Sequence, residues 1–376
     1  MAIFAADTYT MKLLKTIPEH VHILRDVHGK VYTTIKEDDG ARWNATIHGL
    51  SIHRLFPENR ELSHAGTTAD GKMIFQRSES LLHRRPSVNQ LSSFDTATGI
   101  WSGPHTADIV LYGAASGLNV FNGIRLNGAG NSFVLYDVIT NQDRLQIDFD
   151  NMIWCVYGNE DMILLTEHTR DEDLVIYRYS RDGQRLWSVK VDDVLTRGTV
   201  NNNRRATTVS YIPASDLFVF CYPGCVLFAL DAATGEKKWD YLVEMPRPYS
   251  VVPDEQSLIY ITRTAFDRQT KVNVPWLTVL DSSSGTLVLE KDLSATVFDE
   301  PVPAGFYEVK IAVLNAFLYL TIPQLGKLFK LDKNTGMLID SYAHTKSFQR
   351  DTVMQDGHLI LLEDNDTFDR VLVIEL

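Results

Sequence analysis

One short motif recurs along the chain at nearly constant spacing, and it constrains the fold more than any other feature. Its clearest copy runs from Leu227 to Trp239: an apolar run, an Asp, turn residues, a glycine, and an aromatic residue four positions later. Six copies align on Gly99, Asn141, Gly183, Gly235, Gly285 and Gly336. These anchors lie 42 to 52 residues apart, which is the length of one four-stranded blade of a β-propeller.

Each copy reads as a β-hairpin. An apolar strand is followed by an Asp-x-x-Thr-Gly turn and then by a second alternating strand. Asp is suited to close such a turn and Gly supplies its positive φ, which Asn141 also tolerates. Apolar residues alternate with period 2 in segments such as 258–261 and 317–320, and no segment sustains a helical period. The pattern therefore predicts an all-β fold with little helix.

The number of blades depends on the two ends of the chain. A weak further copy lies at 51–65, with Asn59 in the glycine position, and the C-terminal run 370–376 is a strand that no fourth strand follows. The run 11–17 is a strand without a partner of its own, so we expect it to complete the C-terminal blade and close the ring. This predicts an eight-bladed β-propeller of four-stranded antiparallel blades, with seven blades as the alternative. We expect a single domain over 1–376, in which 1–20 complete the last blade with 346–376.

The segment from Ala229 to Trp239 resembles the PQQ-like repeat. This repeat builds the quinoprotein alcohol dehydrogenases and also the propeller scaffold of the bacterial outer-membrane assembly machinery. The resemblance implies that Trp187 and Trp239 pack between neighbouring blades, with Trp101 doing so in a shifted register. Because the family includes enzymes and scaffolds, the resemblance predicts the fold and leaves the activity open.

The enzyme alternative can be compared with the residues. As the resemblance implies, a quinoprotein dehydrogenase needs a Glu/Asn/Asp calcium site, a Trp floor for the quinone, an Asp base and usually two adjacent cysteines. The nearest pair here is Cys221 and Cys225, across a tight turn, which we interpret as structural thiols. We therefore predict a non-enzyme with no cofactor and no catalytic residues. A quinone-dependent or sugar-active enzyme with its site at the central channel stays the alternative.

Two other patterns resemble metal sites. His20 and His22 would share one face of a strand, and the run 363–369 is rich in carboxylates. The histidines lack a third ligand at fixed spacing, and the acidic run lacks the central Gly and final Glu of an EF-hand. We interpret both as surface features and predict no metal site.

Charge and targeting signals limit the partners. The 36 basic and 48 acidic residues give a net charge of −12, which argues against nucleic acid or an anionic membrane as the partner. The N-terminal sequence has no secretory pattern, and no run approaches the length of a membrane helix. With only three cysteines, we expect a cytoplasmic protein that does not insert into membranes.

Long connections between strands are where a propeller scaffold carries function. The sequence places such loops at 38–46, 79–90, 192–206, 265–275 and 294–306. They carry aromatic and Arg residues of the kind enriched in protein interfaces. The predicted partner-binding residues are Trp43, His83, Arg84, Arg85, Arg204, Arg205, Phe266, Arg268 and Phe298.

The sequence thus predicts a non-catalytic propeller platform that binds a protein partner through its long-loop face. One version is an assembly scaffold like that of the outer-membrane machinery. The alternative is a cytoplasmic inhibitor or immunity-type protein, whose negative charge would help it capture a basic toxin or enzyme.

Overall fold

The computed structural model of this chain describes residues 11–20, 25–27, 30–37, 39–48, 51–58, 62–68, 70–78, 89–107, 109–114, 120–127, 130–151, 153–158, 162–168, 174–195, 208–222, 226–242, 250–254, 257–267, 272–294, 309–355, 357–363 and 369–376. Their strands form eight four-stranded antiparallel blades, and the fold is an eight-bladed β-propeller. The expected fold class and blade number are confirmed.

The chain divides into two compact units, residues 1–58, 244–282 and 286–376 (unit 1) and residues 59–243 and 283–285 (unit 2). Four blades lie in unit 2. They are blade 2 (β6 Ser63–Thr67, β7 Lys72–Ser78, β8 Asn89–Asp95, β9 Trp101–Ala107), blade 3 (β10 Val110–Ala114, β11 Val120–Asn127, β12 Gly130–Asp137, β13 Gln142–Phe149), blade 4 (β14 Ile153–Gly158, β15 Ile163–His168, β16 Leu174–Tyr179, β17 Arg185–Lys190) and blade 5 (β18 Thr208–Ile212, β19 Leu217–Tyr222, β20 Val226–Asp231, β21 Lys237–Leu242). A four-residue helix α1, Val191–Val194, follows β17.

The strands of the other four blades lie in unit 1. They are blade 1 (β2 Arg25–Val27, β3 Lys30–Lys36, β4 Arg42–His48, β5 Ser51–Pro57), blade 6 (β22 Ser250–Pro253, β23 Leu258–Asp267, β24 Val272–Asp281, β25 Leu287–Asp292), blade 7 (β26 Lys310–Leu314, β27 Phe317–Ile322, β28 Lys327–Asp332, β29 Leu338–Ala343) and blade 8 (β30 Phe348–Gln355, β31 His358–Glu363, β32 Asp369–Glu375, β1 Lys12–His20). A 3-10 turn, Pro323–Leu325, joins β27 to β28. Within the described residues, helix is limited to this turn, α1 and Ser294, which confirms the expected low helix content.

The N-terminal strand completes the C-terminal blade, as predicted. β1 pairs antiparallel with β32, with Lys12 opposite Glu375 and Ile17 opposite Val371. Ile17 is buried in a cluster with Val371 and Val373, and apolar burial of this kind is the main force that holds a strand in place. The two chain ends are therefore joined in one sheet.

The first blade departs from the sequence prediction. Its third and fourth strands, β4 and β5, pair antiparallel, with His48 opposite Ser51. Residues 51–57 are thus the fourth strand, whereas the repeat alignment at 51–65 required a turn at Asn59. That alignment was wrong by one strand, because the sequence between β4 and β5 lacks the Asp-x-x-Thr-Gly pattern. Asn59 itself lies outside the described residues.

Each blade has two edges at the ends of its strands. The turns between first and second strands and between third and fourth strands lie at one end, which we name the turn edge. The connections between second and third strands, and those from one blade to the next, lie at the other end, which we name the connection edge. This follows from the antiparallel order of the strands.

Candidate functional site

The repeated turn uses its own polar groups, which explains the sequence motif. In blade 5 the Oδ1 atom of Asp231 accepts hydrogen bonds from the backbone N–H of Ala233 at 3.0 Å and of Thr234 at 2.9 Å. Asp332 makes the same bonds to Asn334 and Thr335 in blade 7. The bonds from Thr335 lower the pKa of Asp332. These carboxylates accept hydrogen bonds from the backbone of their own turns, so they are poor candidates for proton transfer.

The residue four positions after the anchor packs against the next blade, as the resemblance implied. An added Cβ at Gly235 would lie 2.8 Å from the Trp187 ring, and one at Gly285 would lie 2.7 Å from the Trp239 ring. The Trp187 Nε1–H also donates to the carbonyl oxygen of Ala232 at 3.0 Å. Each tryptophan therefore lies flat against the turn of the following blade.

Trp101 makes different contacts. Its ring lies 5.4 Å from that of Phe75 and 5.2 Å from that of Phe94. Both partners belong to blade 2, as Trp101 does. The shifted register at this position thus directs the ring against its own blade.

Trp43 lies in β4, but the predicted loop at 38–46 is wrong. Glu37 N–H donates to the Ala41 carbonyl at 2.8 Å and Gly40 N–H to the Glu37 carbonyl at 2.9 Å, so a short turn joins β3 to β4. Trp43 then pairs with Ile35 and Pro57 within the sheet. Its side chain is half-buried, and its indole Nε1 is buried without a hydrogen-bond acceptor among the described residues.

Phe266 lies in β23, and the predicted loop at 265–275 is mostly paired strand. Phe266 pairs with Asn273, and pairing continues to Asp267 opposite Val272. Valine, threonine and phenylalanine favour strands, so the hairpin extends further than in the other blades. The remaining predicted residues, His83, Arg84, Arg85, Arg204, Arg205, Arg268 and Phe298, lie outside the described residues, as do most of the predicted loops at 79–90, 192–206 and 294–306.

Two buried carboxylates lie at the connection edge. Sequence reasoning missed Glu167, and it wrongly placed Glu363 in a surface run, whereas Glu363 is 3% exposed. Glu363 ends β31. Its Oε2 accepts a hydrogen bond from His344 Nε2 at 2.7 Å, and its Oε1 forms an ion pair with Lys346 Nζ at 3.3 Å. Burial alone would raise the pKa of Glu363, but the bonds from His344 and Lys346 outweigh it and hold the pKa below its ordinary value. The carboxylate thereby anchors the connection between blades 7 and 8.

Glu167 has the same role in blade 4 with neutral partners. Its oxygens accept from Asn151 Nδ2 at 2.8 Å and from the Tyr177 hydroxyl at 2.7 Å. Burial, and then the bond to Glu167, raises the pKa of Tyr177, which keeps the hydroxyl protonated as a donor. Each glutamate follows an apolar run, and an acid at the end of such a run was the available signal in the sequence.

A cleft in unit 1 contains a buried ion pair. Lys333 Nζ lies 3.3 Å from Asp254 Oδ2, with side chains 8% and 5% exposed. Val252, Pro253, Val313 and Asn315 are among the residues that line the cleft. The two charges neutralise each other, and the pair connects the turn edges of blades 6 and 7.

No group of three or more His, Cys, Asp or Glu side chains is placed to hold a metal ion within the described ranges. Cys221 is buried, and Tyr222 pairs with Val226. Cys225 lies outside the described residues. Nor does any helix in these ranges have the length and apolarity needed to cross a membrane.

A family model described as outer membrane protein assembly factor BamB matches residues 27–257, which is more than half of the chain. The chain belongs to this PQQ-like propeller family. The family assignment agrees with the repeated turns and with the tryptophans that pack between blades.

Solved structures share the fold at low identity. BamB from Moraxella catarrhalis has a TM-score of 0.60 and 10% identity, covering 97% of this chain and 100% of its own. The computationally designed protein Ika8 has a TM-score of 0.59 and 11% identity, covering 97% and 98%. Saccharomyces cerevisiae Sqt1 has a TM-score of 0.57 and 12% identity, covering 98% of both chains. No curated protein matches the chain.

Proposed function

We propose that this protein is a non-catalytic β-propeller platform that binds a protein partner through the connection edge of its blades. The observation that carries the proposal is membership in a family described as an assembly factor. Such a factor acts on other proteins, and a rigid propeller is suited to present several loops to them.

The chemistry of the two blade edges supports this choice of surface. On the turn edge, carboxylates such as Asp231 and Asp332 are occupied by backbone N–H groups. The connection edge carries the longer segments, among them 196–207 and 295–308, which include Arg204, Arg205 and Phe298. Arginine and aromatic residues contribute most to binding in many protein interfaces.

The buried carboxylates support a scaffold in preference to an enzyme. Glu363 and Glu167 accept hydrogen bonds from side chains on the connections that precede their blades. They therefore hold loops in place.

A thermal-shift measurement with PQQ and Ca²⁺ tests the proposal that the protein is not a quinone-dependent enzyme, since a ligand that binds the native state raises the melting temperature. A clear rise would overturn it.

A cytoplasmic location is part of the proposal. It is supported by the small number of cysteines, as expected in a reducing compartment. The charge of −12 favours a partner with a basic surface, because opposite charges accelerate association.

The test is capture of the partner by charge-reversed variants. The purified chain is used to isolate and identify a stoichiometric partner from its native host, and affinity is then measured for three variants, R84E/R85E, R204E/R205E and R268E. Arg181→Glu, at an exposed position in a turn of blade 4, is the matched control. We expect at least one of the three to bind tenfold or more weakly with an unchanged melting temperature, and the control to bind normally. Wild-type affinity in all three would reject the connection edge as the binding surface.

A further inference from the structure

The fourth strands of blades 6 and 7 begin with exposed apolar side chains. Five such residues, 43% to 62% exposed, form what we name the rim strip: Leu287, Val288, Met337, Leu338 and Ile339. All five follow directly after the repeated turn, and all lie in unit 1. Contiguous exposed apolar side chains are uncommon on a protein surface and mark interaction sites.

The repeat provides an internal control for this observation. The corresponding positions in blades 3 to 5 are mostly polar or charged: Gln142, Asp143 and Arg144, then Gln184, Arg185 and Leu186, then Glu236, Lys237 and Lys238. Blade 2 carries Ile100 and Trp101 there, but Trp101 packs against Phe75 and Phe94. The same hairpin therefore forms with charged residues, and folding does not require apolar residues at the rim strip.

A β-bulge presents the apolar side chains to solvent. In blade 7, Leu331 pairs with Leu338 and Lys330 with Asp340, which leaves Ile339 as the extra residue. Blade 6 has the same shift between Leu287 and Leu289, and blade 5 has it at Lys238. A bulge changes the direction in which the neighbouring side chains point. In blade 5 this exposes lysines, whereas in blades 6 and 7 it exposes aliphatic groups.

The strip lies on sheet edges. β25 and β29 are the last strands of their four-stranded sheets, so one side of each backbone has no strand beside it among the described residues. Natural proteins usually protect such edges with charged residues, because an apolar edge is a template for another strand. Blades 3 to 5 follow this rule at these positions, but blades 6 and 7 do not.

Charge around the strip indicates what kind of strand fits. The acidic residues Asp281, Glu290, Asp292, Asp332 and Asp340 lie in or beside β25 and β29. Of the nearby cations, Lys291 donates to the carbonyl oxygen of Gly336 at 2.8 Å, and Arg263 pairs with Glu290 at 2.7 Å. Lys330, opposite Asp340, is buried. We propose that the blade 7 part of the rim strip, at the outer side of β29, is a docking edge for an extended segment of a partner protein that carries alternating apolar and basic side chains. This is β-strand addition, in which backbone hydrogen bonds supply affinity and alternate side chains supply specificity.

The test uses a synthetic strand as the probe. A fluorescein-labelled peptide of alternating lysine and valine is titrated with the full chain, and binding is followed by fluorescence anisotropy. The variant L338T/I339T removes apolar area while keeping the charge and the β-branched shape that strands favour. Leu186→Thr, at the equivalent bulge of blade 4, is the matched control. We expect tenfold or more weaker binding to L338T/I339T and unchanged binding to the control.

Two further measurements separate this occupant from others. A peptide with a central proline cannot donate every backbone hydrogen bond, so we expect it to bind at least tenfold more weakly than the parent. In hydrogen exchange, the β29 amides that bond to β28 are protected in any case. The readout is therefore the β29 amides that face away from β28, which we expect to become protected only when the parent peptide is present. Equal binding of the parent peptide by L338T/I339T and wild type would overturn the proposal. So would equal binding of the proline peptide, protection of these outward-facing amides in the free monomer, or a dimer that L338T/I339T abolishes.

Discussion

Particular contacts between neighbouring blades differ in chemistry between the two units. In unit 2 we compare neutral contacts: Trp187 lies against Gly235, and Glu167 is held by Asn151 and Tyr177. Unit 1 adds ionic contacts to the apolar packing between its blades: Lys333 pairs with Asp254, and Glu363 is held by His344 and Lys346.

The same repeat therefore joins its blades in two ways. Apolar contact depends on shape and is largely insensitive to pH, whereas buried ion pairs depend on the presence of both partners. We expect substitutions that change shape to act most strongly in unit 2, and substitutions or pH changes that alter charge to act most strongly in unit 1.

The largest loss of stability should come from adding a side chain where Gly235 lies against Trp187. In Gly235→Val, the new side chain meets the Trp187 ring at 2.8 Å and forces a β-branched residue to φ +76°. Overpacking and backbone strain together should lower the free energy of unfolding by about 3–5 kcal/mol. Chemical denaturation measures this loss.

Gly99→Val is the matched control, because Gly99 has φ +72° but an added Cβ meets nothing within 4 Å. It should cost only the strain, about 1–3 kcal/mol. Equal losses in the two variants would mean that Trp187 does not restrict the space at Gly235.

Loss of the ion pair between Lys333 and Asp254 should give the next largest decrease in stability. Lys333→Met leaves the Asp254 carboxylate buried without its cation, while the Tyr260 hydroxyl at 3.3 Å and the Leu258 N–H at 2.9 Å still donate to it. We expect a loss of about 3 kcal/mol, and recovery of most of it in K333M/D254L, where no charge is left buried. Lys238→Met, which removes an exposed partner of Asp231, should cost less than about 1 kcal/mol. If the double variant is no more stable than Lys333→Met, the loss of stability in Lys333→Met does not come from an unpaired buried charge.

A smaller loss of stability should follow from replacing Trp187 by a smaller aromatic residue. Trp187→Phe keeps an aromatic ring beside Gly235 but removes the Nε1–H that donates to Ala232. The lost hydrogen bond and area should cost about 1–2 kcal/mol. Trp101→Phe, whose ring is partly exposed, should cost less. A larger loss at Trp101 than at Trp187 would contradict the importance of the contact between blades.

The sequence predicted most of the fold because the repeat is local. An Asp, a Gly and a residue four positions later define one hairpin, and their spacing defines the blade. The N-terminal strand was predicted because an unpaired edge at 370–376 requires a partner. Blade 1 was misaligned because the sequence between β4 and β5 lacks the motif.

The site was less predictable, because its contacts join distant residues. Lys333 and Asp254 are 79 positions apart, and His344 and Glu363 are 19 apart. No spacing rule connects such pairs in a single sequence. The loop at 265–275 was wrong for another reason: length alone does not distinguish a loop from a paired hairpin, and the strand-forming residues around Phe266 formed the hairpin.

The smallest effect we predict is a change in pH dependence at the ionic contact of blade 8. The pKa of Glu363 is lowered from its reference value of 4.5, so the folded state favours the ionised carboxylate. The stability that it contributes is fully present above that reference value and is lost as the pH falls through the lower folded value. Glu363→Gln should therefore show a shallower loss of stability than wild type on acidification below about pH 5, measured by denaturation at a series of pH values. His344→Gln removes one donor to Glu363 and should give an intermediate slope, with Tyr342 and Lys346 still in place. Superimposable pH profiles for wild type and Glu363→Gln would show that the ionic character of this contact does not stabilise the blade.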